Sequence, residues 1–280
     1  MSNVDSPLQG SFPRPGKTLR VVLIGVFTVW LAFAVGINWA GAPESLFLAL
    51  CGNTERILHG EVWRLFTAPW LHLPSGTIGH VVSALIGLYF LSPSLESRWG
   101  SARFARFLLL AALTSYIAQM LAELVLPSSV AARIAASGGY FFGALPVVEA
   151  IAIAWALSFR GQTVRLLGVF PITSTQLIVI VIATSLMYVV IAAQDPSGLI
   201  APFGGMFAGW LFGGGTPSPF RRYWLKLRLA KLDAEARQEA RDRKRRASKS
   251  GLRVISGGRD GDTDADKEPE SRDRDGRWLN

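Results

Sequence analysis

The stretch Ile134-Ala135-Ala136-Ser137-Gly138-Gly139-Tyr140-Phe141-Phe142-Gly143 opens a run that stays apolar to Phe159, interrupted by a single charged residue, Glu149. A bilayer core requires about 20 apolar residues per helix, with a range of roughly 17–25. The run therefore reads as a membrane span. The serine at its mouth is surrounded by residues small enough to let a second helix approach. A lone serine hydroxyl is a poor nucleophile near neutral pH, and an adjacent base is what activates it. How Ser137 is read depends on whether the chain supplies that base.

Composition supports a membrane fold. Of 280 residues, 50% are hydrophobic and 18% charged, and the mean hydropathy is +0.32. Apolar runs cover residues 19–39, 77–91, 104–126, 134–159, 175–193 and 198–213. Six such runs leave no room for a soluble core, so the fold class expected is an all-α polytopic membrane protein. The first run lacks a small-residue cleavage site and reads as a retained span. The lone Cys51 excludes an intramolecular disulfide and a cysteine-rich metal site. No metal or other cofactor is expected.

The net charge of +9 comes largely from residues after Gly215 rather than from a folded basic surface, so nucleic acid is not an expected partner. Arg14, Lys17, Arg20, Arg98, Arg103, Arg106, Arg160, Arg165 and the tail fall on one side of the spans. Arg56, Arg64 and Arg133 fall on the other. The positive-inside rule then places both termini in the cytoplasm, with the plasma (inner) membrane as the bilayer. The organisation expected is a disordered segment 1–18, a membrane domain 19–213 and a basic tail 214–280. The loop 40–76 is rich in aromatic residues and should lie in the membrane interface. In the tail, 221–232 alternates cations with apolar residues as an amphipathic helix would, and Arg221 to Lys231 should contact anionic inner-leaflet lipids. Residues 241–249 and 260–275 should be disordered.

Further motifs occur in a fixed order. They are Trp63-Arg64 in the long loop, His80 on the second run, Glu96-Ser-Arg98-Trp-Gly100 after it, Ala-Ala-Ser137-Gly138-Gly139, and Pro202-Phe-Gly204-Gly205-Met-Phe-Ala-Gly209. Together they resemble the rhomboid family of intramembrane serine proteases over roughly residues 19–213. The resemblance implies a six-helix bundle with an interfacial first loop. It implies that Trp63 and Arg64 order that loop, with Arg64 hydrogen-bonded to backbone carbonyls. Glu96 and Gly100 would mark the turn between the second and third spans, with Glu96 accepting from backbone amides or pairing with Arg98 or Arg103.

Active members of that family hydrolyse a peptide bond with a serine–histidine dyad, and a His-x-x-x-Asn pair on the second span helps hold the oxyanion. Losing one oxyanion donor costs about 10²–10³ in rate. Carried over by position, Ser137 is the nucleophile position, Gly138 matches, and His80 matches the second-span histidine. The asparagine position is Ala84, and the position of the basic histidine is Pro202. Gly205 and Gly209, with Gly213, form a packing ladder expected to face Gly139 and Gly143. The resemblance therefore implies a pseudoprotease that binds transmembrane segments of other membrane proteins. The alternative is an active endopeptidase using Ser137 with a non-standard base such as His80. Glu149, about 18 Å along a continuous helix from Ser137 at 1.5 Å per residue, reads as a carboxylate near the cytoplasmic end, paired with Arg160 or Arg165 or held neutral.

Overall fold

The computed structural model describes residues 14–135, 137–166, 170–191, 195–214 and 219–249. Helix α1 (Lys17–Asn38) leads into a loop that contains three short helices, α2 (Glu44–Leu48), α3 (Thr54–Leu58) and α4 (Arg64–Thr67), and a 3₁₀ turn, Ala68–Trp70. Then follow α5 (Gly79–Trp99), α6 (Ser101–Val125), α7 (Ser128–Ile134), a 3₁₀ turn Ser137–Gly139, and α8 (Leu145–Ser158). An antiparallel hairpin, β1 (Thr163–Leu166) and β2 (Phe170–Thr173), pairs Thr163 with Thr173 and Leu166 with Phe170. It is followed by α9 (Ser174–Val190), α10 (Ala201–Gly213) and α11 (Pro219–Lys249).

Helix α8 is the centre of the bundle and packs against α5, α6, α9 and α10. Its Ala150, Ile151, Ala152, Ile153 and Ala154 are all buried, so no side of it needs a polar face. The main core joins α8 to Leu88, Leu91 and Leu95 of α5 and to Phe104, Phe107 and Ala111 of α6. A second cluster lies under the first loop and contains Phe47, Cys51, Leu71, Tyr116, Phe141 and Phe142. The outer surfaces are apolar as well. Val21, Ile24 and Phe27 of α1 and Val179, Leu186 and Met187 of α9 are exposed. By length and composition α1 and α6 can each cross a bilayer, while α8 and α9 are apolar but shorter.

Helices α8 and α10 approach each other closely. A Cβ at Gly205 would lie 2.0 Å from the Pro146 carbonyl oxygen, one at Gly209 2.3 Å from that of Ala150, and one at Gly213 2.2 Å from Ala154 Cβ. The ladder thus faces Pro146, Ala150 and Ala154, not Gly139 and Gly143 as the sequence suggested. The reason lies in the fourth apolar run, which is not one helix from residue 134. Gly138, Gly139 and Gly143 adopt φ of 69°, 75° and 118°, outside helical space. The helix restarts at Leu145, with Pro146 in its first turn where a missing amide costs nothing.

Other boundaries also differ from expectation. Helix α5 continues past residue 91, through Pro93, to Trp99, and Gly100 (φ 80°) makes the turn into α6. Residues 241–249 belong to α11 instead of being disordered, because the Arg, Lys and Ala that dominate them are strong helix formers. Residues 1–13 and 260–275 lie outside the described residues. Overpacking a filled helix contact typically costs about 1–3 kcal/mol. Gly209→Val should therefore lower the thermal midpoint of detergent-solubilised protein by several degrees. Gly36→Ala, where the added Cβ meets only Ala42 Cβ at 3.7 Å and helix propensity favours alanine, should not lower it.

Candidate functional site

Residues 137–144 obtain their hydrogen bonds from three other parts of the chain. Phe141 and Gly52 exchange backbone bonds of 2.8 and 2.9 Å, and the Asn53 amide donates to the Gly139 carbonyl at 3.0 Å. The Gly143 N–H donates to the Ala68 carbonyl at 3.0 Å, and the Phe142 N–H to that of Pro196 at 2.8 Å. From α6 the buried Tyr116 hydroxyl donates to the Gly143 carbonyl at 2.5 Å. Ser137 and Gly138 lie in the 3₁₀ turn at the head of this segment, so Ser137 is in a turn before α8 rather than at a helix crossing. The Ser137 side chain is outside the described residues.

Gln119 of α6, fully buried, ties the segment to α10. Its amide nitrogen donates to the Ile134 carbonyl at 3.0 Å and to Glu123 at 2.7 Å. Its amide oxygen accepts from the N–H groups of Ile200 and Ala201 at 2.8 and 3.2 Å. Glu123 in turn accepts from the Thr54 hydroxyl. One side chain thus joins the first loop, α6, the end of α7 and the start of α10. Gln119 and Tyr116 were not among the residues picked from the sequence. The available signal was a polar amide inside an otherwise apolar span.

His80 and His72 pack against each other with ring centroids 4.8 Å apart, and His80 meets Phe142 edge-on. His80 lies directly beneath Gly143, where a Cβ would come within 2.8 Å of its ring. Both His80 ring nitrogens are buried without a partner. The Ala144 N–H points at His72 Nε2 from 3.5 Å. Burial, reinforced by the neighbouring His80, pushes the His72 imidazole down from 6.5 to about 3. Burial raises the Cys51 thiol to about 12, so it stays protonated. Ala84 is fully buried one turn beyond His80, and Pro202 lies in the first turn of α10.

In the first loop, Trp63 is half-exposed and Arg64 is 2% exposed. Arg64 donates to the Leu48 and Cys51 carbonyls, both at 2.6 Å, and pairs with Glu61 at 2.5 Å. Glu96 accepts from the N–H groups of Thr18 and Leu19 at 2.8 and 3.1 Å and from the Ser101 hydroxyl at 2.6 Å. It therefore satisfies two open donors at the start of α1 and does not pair with Arg98 or Arg103. Arg98 donates to the Ser158 carbonyl and lies over Phe159, and Arg103 lies over Trp99. Glu149 is in the second turn of α8, not near the far end, because α8 starts at residue 145. Its partner is Ser185 at 2.9 Å, rather than Arg160, and the Arg165 side chain lies outside the described residues.

A family model described as the Rhomboid domain matches residues 59–217, more than half of the chain. The chain belongs to the rhomboid family. It is 30% identical over 196 residues to Rhomboid protease GluP of Bacillus subtilis (strain 168), an overlap that covers 69% of this chain and 34% of that protein. The chain thus spans about a third of the length of that curated relative. Membership makes it a membrane protein of mainly helical fold. Among the described residues of this rhomboid, no group of three His, Cys, Asp or Glu side chains is placed to hold a metal ion.

The buried His72 carries a pH signature. Its folded value near 3 lies below its ordinary 6.5, so below about pH 6.5 the unfolded chain takes up a proton that the folded chain refuses. Stability contributed at neutral pH is therefore lost progressively as pH falls from about 6.5 towards 3. The thermal midpoint should be flat above pH 7 and decline through the acid range, and His72→Leu should flatten part of that slope. An unchanged slope would assign the acid sensitivity elsewhere.

Proposed function

We propose that this rhomboid is a pseudoprotease that binds transmembrane segments of client membrane proteins. The observation that carries this reading is the start of α10, Ala201-Pro202, where active members carry the basic histidine. A prolyl ring cannot accept the proton that a serine must lose to attack a carbonyl. The chain's three histidines have other surroundings. His59 contacts the Glu55 carbonyl at 2.7 Å on an exposed turn, and His72 and His80 pack on each other. Ala84 offers no amide to a developing oxyanion, so base and donor are missing together. Trp63, Arg64, Glu96, Gly100, Gly138, Gly205 and Gly209 then serve the architecture.

The second reading is an intramembrane serine endopeptidase in which Ser137 loses its proton to His80. Two observations favour it: the unpartnered nitrogens of His80 and the similarity to a relative named as a protease. A fluorophosphonate probe separates the two. Under the pseudoprotease reading, the purified protein shows no Ser137-dependent labelling and no cleavage of a transmembrane substrate. Labelling that disappears in Ser137→Ala would show an activated nucleophile and overturn the pseudoprotease reading, and cleavage that disappears with it would establish the protease.

The same reading takes α1, α5, α6, α8, α9 and α10 as six spans of the plasma (inner) membrane, within a membrane domain 19–213. The segments 1–18 and 214–280 are then cytoplasmic. In the tail, Lys226 and Lys231 of α11 are exposed, alongside exposed Leu225, Leu229 and Leu232. That combination suits an anionic lipid surface, and a nucleic-acid partner is not proposed. The side chains of Arg221 and Arg222 lie outside the described residues. Trypsin should remove the tail from inside-out but not right-side-out membrane vesicles, and more slowly when the vesicles are enriched in anionic lipid. Cleavage from the outside would invert the topology, and a rate indifferent to lipid charge would rule out the lipid contact.

A further inference from the structure

A cavity of about 200 Å³ lies between α5, α8, α9 and the segment that leads into α10. Glu149 of α8 forms part of its wall, with Ser83, Ser185, Asp195, Ser197 and Pro202 around it. The two oxygens of Glu149 are not equivalent. Oε1 accepts from the Ser185 hydroxyl at 2.9 Å, while Oε2 is buried with no partner. A lone acceptor in an apolar helix bundle costs free energy, and more so when it belongs to a carboxylate.

The donors packed nearest Glu149 are already in use. Five hydroxyl side chains line it, those of Ser83, Thr184, Ser185, Tyr188 and Ser197, and three of them already commit their single protons. Ser83 donates to the His80 carbonyl at 3.1 Å, and Ser197 donates to Asp195. Ser185 has one proton for two acceptors, Glu149 and the Val181 carbonyl at 3.0 Å. Asp195 Oδ1 also accepts from the Ser197 N–H at 2.7 Å. Two carboxyl groups thus face one small space. Arg56 and Arg64 pair with Glu61, and neither Glu149 nor Asp195 has a cationic partner among the described residues. The chemistry that completes such a cavity is a compact group with several donors, no acceptor and positive charge. An ammonium carries three donors and a guanidinium five.

We propose that this cavity receives the cationic head of a lysine or arginine side chain carried by a bound transmembrane segment, and so selects clients with a basic residue within the span. The segment as carrier rests on the client-binding reading above; the cation preference rests on Glu149 and the hydroxyls. A basic side chain in mid-membrane is itself costly and seeks an acceptor, so the two unsatisfied groups satisfy one another.

Two arms test this on the full-length protein in detergent. The first probe is n-butylguanidinium, with n-pentanol as a neutral control. The guanidinium should raise the thermal midpoint by several degrees at millimolar concentration and the alcohol should not. The shift should vanish in Glu149→Gln and shrink in Ser185→Ala, and the midpoints of both variants without probe report whether they fold. The second probe is a set of Leu/Ala transmembrane peptides with Glu-Gly flanks, carrying one Lys at successive depths. At one depth the Lys peptide should bind at least tenfold more tightly than its all-Leu counterpart, and Glu149→Gln should erase the difference. Peptides that bind equally with and without Lys overturn the inference and leave client binding intact. A guanidinium shift that needs Glu149, with no peptide binding, supports the cation site and overturns the client as its carrier. No shift and no binding overturn both.

Discussion

The contact between α8 and α10 sets the geometry around the candidate site. With glycine at 205, 209 and 213 the α10 backbone rests on the carbonyls of Pro146 and Ala150 and on the methyl of Ala154. That depth of approach brings the start of α10 within reach of Gln119. It also lets Leu199 donate back to the Ile134 carbonyl. Had α10 carried ordinary side chains along this seam, the segment before α8 and the segment before α10 would lose their shared anchor. Small residues here do what hydrophobic bulk does in a soluble core, since lipid gives no drive for apolar surfaces to hide from one another.

Around that seam, irregular backbone is tolerated because each exposed group finds a partner in a neighbouring element. Residues 139–144 are supported by Gly52, Asn53, Ala68, Tyr116 and Pro196. Within an apolar bundle an open amide costs several kcal/mol, so the first loop is a structural complement of this segment rather than a separate cover. Arg64 has the corresponding role inside the loop, where one planar cation closes two carbonyls and meets Glu61. A lysine, as a point charge on a flexible stem, does not reproduce that fork.

The helical class, the approximate positions of the long helices and the family were legible because apolar runs and ordered motifs are local signals. The break before α8 was harder to read. The run after Ile134 is apolar throughout, and hydropathy cannot distinguish a helix from a strapped turn. The clue was three glycines within six residues, at 138, 139 and 143, followed by Pro146. Misplacing that break misassigned two further features, the partner of the glycine ladder and the position of Glu149. Gln119 was overlooked because its importance lies in contacts with residues 15 and 81 positions away, which no window of sequence displays. The β1–β2 hairpin was also missed, since its short strands adjoin longer apolar patterns. Pro202 and Ala84 were legible as departures from a family pattern, and they carry the functional proposal.

Glu96 has a consequence for the order in which the molecule is completed. The amides of Thr18 and Leu19 are capped by a residue 77 or 78 positions further along. At about 5–20 residues per second of synthesis, roughly 4–16 s separate the start of α1 from the arrival of its cap. Throughout that interval α1 is a helix with an unfinished start, and those two amides are closed only when the α5–α6 turn arrives. Helix α1 is therefore made well before the turn that closes its first amides.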